Sequence, residues 1–270
     1  MPRWSWAHHA RLWNLLPWEQ ALDELAETGY QGVEGLAVLM KEFKDRTEMA
    51  QRHLDERHLA LVALDGGGDF ANPDRGAALL AAHLPLAEFL QRLHGDRLVV
   101  TWESRAVVQS TPLDFRTAAH TLNELGRRCQ DFEVCLCLLP QTGQRIESEE
   151  EIDRILNLVD TRDVFLALDT AHLAECSTEP VRILETYGEC LRHIRFKDRS
   201  PENDDPEWPL CCPLGEGEIQ FSPLIEALKR IGYQGWIGVD LEEPLPQTTE
   251  KECAQRSRDC LEELMKEEPS

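Results

Sequence analysis

The chain is poor in positive charge: 28 Lys and Arg stand against 50 Asp and Glu, a formal net charge of −22 over 270 residues. Gripping a phosphate backbone needs a surplus of Lys and Arg, and no basic cluster interrupts the deficit, so no nucleic-acid partner is expected. No apolar run reaches the roughly 18 residues a membrane helix needs, so no membrane partner is expected either. The opening Met1-Pro2-Arg3-Trp4-Ser5-Trp6 lacks a basic segment followed by an apolar one, and no secretion signal is expected there. The 9 cysteines are odd in number in a long chain without such a signal, which points to reduced thiols and a cytoplasmic protein. Cys211-Cys212 has no CxxC partner elsewhere, so a structural zinc site is not expected.

What is there is the composition of a globular domain, 42% hydrophobic and 29% charged, able to bury a large core. Its centre is Val164-Phe165-Leu166-Ala167-Leu168-Asp169-Thr170-Ala171-His172, an apolar run of strand length that ends in an acid and then a histidine. Such a run reads as a parallel strand covered on both faces, and polar groups at the carboxyl ends of such strands form the ligand crevice. The lesser alternative is that Asp169 caps the next helix, with His172 a surface histidine. The pattern recurs in Leu191-Arg192-His193-Ile194-Arg195-Phe196-Lys197-Asp198 and in Trp236-Ile237-Gly238-Val239-Asp240-Leu241-Glu242-Glu243.

In chain order, Trp4 to His9 reads as a first strand with His8 or His9 at its exit, and Pro17 to Ala26 as a helix with Pro17 at its first position. Gly32-Val33-Glu34-Gly35 is a short strand ending in an acid, followed by a charged helix over 44–57 and the strand Leu59 to Leu64. Asp65-Gly66-Gly67-Gly68-Asp69 lacks the Lys-Ser/Thr of a phosphate loop and the dinucleotide spacing, and reads as a flexible loop at the mouth of a barrel. A helix over 75–94, the strand Arg97 to Glu103, a helix over 113–130 and the strand Val134 to Pro140 follow. Ser148 with Glu151 forms a capping box for the helix from Glu149 to Leu158. After helix 179–187 and the strand around His193, the proline-rich stretch 199–217 reads as a binding loop or lid. Eight strands, each followed by a helix, predict one (β/α)8 TIM barrel spanning 1–270, with a doubly wound open sheet as the alternative.

Asp169-Thr170-Ala171-His172, Arg195-Phe196-Lys197-Asp198, Gly215-Glu216-Gly217 with Phe221, and Gly232-Tyr233-Gln234-Gly235-Trp236-Ile237-Gly238-Val239-Asp240 together resemble the xylose isomerase-like barrels. That superfamily holds sugar isomerases, epimerases and dehydratases, and a class of abasic-site endonucleases. The segment 141–200, including Ser148 to Arg154 and Asp169 to Leu173, most resembles inosose dehydratase. The resemblance is specific from about 140 onward and at Val99-Val100-Thr101-Trp102-Glu103.

The resemblance implies one divalent cation such as Mn, Mg, Co or Zn, held by an acid or histidine on the fifth strand, an Asp, a His and a Glu. Asp169 matches the Asp and His172 the substrate-contacting histidine. The fifth strand instead offers Leu138, Leu139, Pro140 and Gln141, Arg195 stands in the place of the ligand histidine, and Asp240 replaces the glutamate. Arginine has no lone pair to give a metal. The expectation is therefore that Arg195 sits between Asp169 and Asp240 as a substitute cation in a metal-free site, with a metal retained on Asp169, Asp240, His172 or His193 and water as the alternative. His193, Arg195 and Lys197 share one face of their strand by its period of two.

Two functions follow. In the first, a metal-independent or weakly metal-dependent enzyme acts on a sugar, polyol or keto compound. Glu34, Glu103 or Glu242 takes a proton next to a carbonyl, and His172 and Lys197 bind and polarise oxygens. His193, Trp6 and His8 line the pocket, and Arg195 stabilises an enediolate or holds a carboxylate or phosphate. In the second, the barrel has lost catalysis and binds small molecules or acts as a scaffold. The endonuclease reading needs more metal-binding histidines and a basic groove, and the sequence has neither. Tryptophans and apolar helix faces leave room for a homodimer.

Overall fold

The computed structural model describes residues 4–35, 42–102, 110–175, 180–201 and 210–266. The eight expected strands close into a ring: β1 (Trp4–His9), β2 (Gly32–Gly35), β3 (Ala60–Gly68), β4 (Arg97–Trp102), β5 (Cys135–Leu138), β6 (Val164–Asp169), β7 (Leu191–Phe196) and, after a short ribbon of β8 (Asp198–Arg199) and β9 (Cys211–Cys212), β10 (Gly235–Val239). Their order around the barrel is β1-β10-β7-β6-β5-β4-β3-β2, and every pair in the ring is parallel. Helices such as Trp18–Glu27, Gly76–Arg92, Pro112–Gln130 and Phe221–Arg230 form the outer layer. The expected capping box is present, with Glu151 N donating to Ser148 Oγ at 3.3 Å and Ser148 N to Glu151 Oε2 at 3.2 Å.

The period of two sorts the side chains into two cores. On β6, Val164, Leu166 and Leu168 face the helices, whereas Phe165 and Ala167 pack inside the barrel beside Ala7, Ala63, Val99, Cys137 and Leu139. Burying each large outer-layer side chain, Leu22 or Ile194 for example, contributes about 1.5–3 kcal/mol. That layer holds the ring together and lets the inner face carry polar groups at its carboxyl end.

The glycine run departs from expectation. Asp65, Gly66, Gly67 and Gly68 are strand residues, paired with Val99, Val100, Thr101 and Trp102. His83 secures them from the outer layer by accepting a hydrogen bond from Gly67 N at 3.0 Å. The sheet imposes this conformation through β4, against the weak strand preference of glycine, and it carries Asp65 into the barrel.

Candidate active site

The inward-facing residues at the carboxyl ends of the strands are ionisable. On β7 the outer face is apolar, with Ile194 and Phe196, and the inner face presents His193, Arg195 and then Lys197, all buried. Arg195 reaches across the barrel interior. Its Nε donates to Glu34 Oε2 at 2.6 Å and its Nη2 to Asp65 Oδ1. Asp65 Oδ2 also meets His9 Nε2 at 2.6 Å and Arg11 Nη2 at 3.3 Å. Arg11 turns its Nε to Asp240 Oδ1 at 3.2 Å, and Lys197 Nζ donates to Glu242 Oε1 at 2.7 Å while standing 3.9 Å from Asp240 Oδ2. His193 Nε2 lies 3.0 Å from Glu34 Oε1 but off the line of a hydrogen bond.

Local structure positions each group. The backbone at position 238 on β10 passes so close to Glu34 that a Cβ there would lie 1.9 Å from Oε1, so only glycine leaves room for that carboxylate. Thr170 Oγ1 donates to Lys197 O at 2.7 Å and accepts from Lys197 N at 2.9 Å, fixing Lys197 just past the end of β7. Asp198 accepts from the backbone N–H groups of Arg199, Gly215, Gly217 and Ile219 at 2.9–3.0 Å, which ties the far end of the 199–217 stretch to the barrel rim. Asp169 does both things its sequence position allows. Oδ1 caps the following helix, accepting from Ala171 N at 3.0 Å and His172 N at 3.2 Å, while Oδ2 is buried without a hydrogen-bond partner.

The charges follow from this geometry. Burial alone would push the Glu34 carboxyl up, yet His193 and the Arg195 guanidinium together hold it below the usual carboxylate range. Burial also pushes His193 down, toward its neutral form, so the guanidinium is the permanent cation of that pair. Asp65 is held low, against its burial, by Arg195, His9 and Arg11, and Asp240 by Arg11, His9 and Lys197. Burial would lower Lys197, but Asp169 and Asp240 outweigh it and keep the ammonium charged. Cys211, on β9 beside Lys197, is pushed up to about 12 by burial and stays a thiol.

These placements correct several expectations. Arg195 does not stand between Asp169 and Asp240; it is taken up by Glu34 and Asp65, and Lys197 is the cation beside Asp169 and Asp240. With Nε and Nη2 given to Glu34 and Asp65, Arg195 is anchored to protein carboxylates at the floor of the site. Trp6 and His8 belong to the outer face of β1. Trp6 packs toward Phe196, and His8 is wedged between Trp13 and Tyr30, with ring centroids 5.1 and 5.2 Å away. The inward histidine is His9. Glu34 has both oxygens against cations or His193 and is poorly placed to take a proton. Glu242, 51% exposed at its side chain, and His172, with Nε2 3.2 Å from Gln141 Nε2 and Nδ1 3.4 Å from Glu175 Oε2, remain at the mouth. Glu103 lies outside the described residues. Of the two histidines weighed at the exit of β1 it is His9 that joins this network, and Arg11 and Asp65 join it without having been singled out from the sequence.

A divalent cation does not fit this donor set. Leu138 and Leu139 stand where the fifth strand would supply a ligand, Arg195 where a histidine would, and among the described residues no group of three or more His, Cys, Asp or Glu is arranged to hold a metal ion.

A closed parallel barrel with ionisable side chains gathered at its strand ends defines the architecture of a barrel enzyme. The chain matches the family described as xylose isomerase-like TIM barrel over residues 22–264, and it belongs to that family. It is 28% identical to the inosose dehydratase of Lacticaseibacillus casei over 92% of this chain and 89% of that one. Among solved structures it is similar to an IolI protein with a bound zinc atom, at a TM-score of 0.82, 17% identity and coverage of 98% and 99% of the two chains. It is also similar to the probable 3-DHS dehydratase AsbF of Bacillus anthracis, at a TM-score of 0.83, 12% identity and coverage of 96% and 98%.

Proposed function

We propose that the protein is a sugar- or polyol-modifying enzyme that moves a proton next to a carbonyl and uses side-chain cations where related barrels use a metal ion. The observation that carries this reading is the buried Lys197 ammonium, charged beside Asp169 and Asp240 at the strand ends of a xylose isomerase-like barrel. The similarity to inosose dehydratase supports a polyhydroxy keto substrate.

In this mechanism the substrate carbonyl oxygen lies against Lys197, and Glu242, held 2.7 Å from that ammonium, takes the proton from the neighbouring carbon. The C–H electron pair forms the carbon–carbon double bond of an enediolate, and the carbonyl electrons move to the oxygen facing Lys197. Return of the proton to the former carbonyl carbon, with the hydroxyl proton passing from the neighbouring oxygen to the former carbonyl oxygen, gives isomerisation. Loss of a β-hydroxyl, protonated by His172, gives dehydration with release of water. Arg195, Glu34, Asp65 and His9 form the charged floor that holds the pocket in shape.

The test is incubation in heavy water with a panel of ketoses and inososes, followed by proton NMR. Loss of the signal next to the carbonyl is expected for at least one compound, with Lys197→Met slowing it about 100-fold or more. Absence of exchange with every compound overturns the enzyme reading and leaves a binding protein or scaffold.

A further inference from the structure

Among the described residues carboxylates outnumber permanent cations at the strand ends: Glu34, Asp65, Asp169, Asp240 and Glu242 stand against Arg11, Arg195 and Lys197, with His9 2.6 Å from Asp65 and His193 3.0 Å from Glu34 as titratable neighbours. The chain around them is itself strongly acidic, at −22. Among the described residues, carboxylate oxygens at the strand ends still lack a hydrogen bond: Asp169 Oδ2 has no partner, and Asp240 Oδ1 faces Arg11 Nε only at an unfavourable angle. Asp169 is 1% exposed, so water does not make up the deficit from the bulk. A buried charged acceptor without a donor is costly and marks a place that a ligand's donor completes.

The sign of the missing partner follows. A phosphate or carboxylate would enter an excess of like charge, with Arg195 already donating to Glu34 and Asp65. A divalent cation would find two free carboxylate oxygens beside the Lys197 ammonium, fewer than the four or more ligands such ions take. A protonated amine brings donors and no acceptor, and needs only acceptors around it. Lys197 donates to Glu242, and none of its three donors is within hydrogen-bond geometry of Asp169 Oδ2.

We propose that the site accepts a polyhydroxy compound bearing a protonated amine, of the aminoketose or aminocyclitol class, whose ammonium donates to Asp169 Oδ2, and that it rejects sugar phosphates and sugar acids. This deepens the proton-transfer reading above and rests on it for the location of the pocket.

The test is calorimetric titration of the full chain with two matched sets: fructose, 1-amino-1-deoxyfructose and fructose 1-phosphate, and myo-inositol, scyllo-inosamine and inositol 1-phosphate. In at least one set the amine is expected to bind about tenfold or more tightly than the neutral compound, and the phosphate not at all. Asp169→Asn keeps an oxygen to cap the helix and is expected to erase the preference for the amine. Should that variant not fold, the order of the three charges on the parent protein still decides.

Equal binding across both sets, tightest binding of the phosphate in either, or binding of none overturns the proposal. So does tight binding of Mn or Zn alone in competition with the amines. Proton exchange on neutral ketoses is measured separately, so a wrong charge preference with exchange intact sinks only this inference.

Discussion

Replacing Arg195 with methionine keeps an unbranched side chain of similar reach in the barrel and removes the charge. Arg195 is 1% exposed and donates to both Glu34 and Asp65, so Arg195→Met leaves the buried Glu34 and the half-buried Asp65 carboxylates short of their main permanent cation. Removing one partner of a buried ion pair costs about 3–5 kcal/mol, a large share of the roughly 5–15 kcal/mol that holds a domain folded. The pH dependence adds a signature. In the parent the Glu34 and Asp65 carboxyls lie below their ordinary values of 4.5 and 3.8, so their contribution is full above that range and is lost as pH falls through the folded values. In the variant burial raises both carboxyls, the folded state takes up protons more readily, and the gap from the parent narrows in acid. Urea unfolding at pH 7 and pH 4 measures both effects. In the double variant Arg195→Met/Glu34→Gln the loss should be smaller than the sum of the single losses. A cost under about 1 kcal/mol at neutral pH, or a gap that does not change with pH, refutes the reasoning.

Two further outcomes test the frame around the site. Burial of His8 between Trp13 and Tyr30 lowers its pKa from 6.5 to about 4. Its contribution is complete above the unfolded value and fades as pH falls toward the folded one, a loss of about 3 kcal/mol that His8→Phe should remove, flattening the urea midpoint against pH between neutral and mildly acidic buffer. Asp198→Ala strips the acceptor from the N–H groups of Arg199, Gly215, Gly217 and Ile219. It should cost about 2–3 kcal/mol and speed proteolytic cutting within 199–217, which limited digestion followed by mass spectrometry would show.

The barrel was legible because each strand is an apolar run closed by turn residues and followed by an amphipathic helix. That local pattern survives folding, as it does in Val164 to Asp169 and in Trp236 to Val239. The strand through Gly66 to Gly68 was not legible, since its conformation comes from pairing with β4 rather than from its own residues. In β1 the phase was the difficulty, because His8 and His9 stand side by side and both suit a site. The small Ala7 held the signal, since a crowded barrel interior takes small side chains and places the bulky Trp6 outside, which makes His9 the inward residue. On β7 the face was read correctly from the period of two, but the partners of Arg195 were not. Which carboxylate meets a side chain across a barrel depends on strand tilt and stagger, and neither is written in a local pattern.

The central claim is that side-chain cations serve where relatives of this barrel are expected to use a metal. Elemental analysis of the full chain, purified without chelator, incubated with Mn, Zn, Co or Mg and passed through a desalting column, tests it most directly, with Arg195→His as the companion variant. Metal content well below one equivalent in the parent, and a gain of binding when histidine supplies the missing lone pair, is the expected result. One tightly held equivalent of any of these metals in the parent protein contradicts the account.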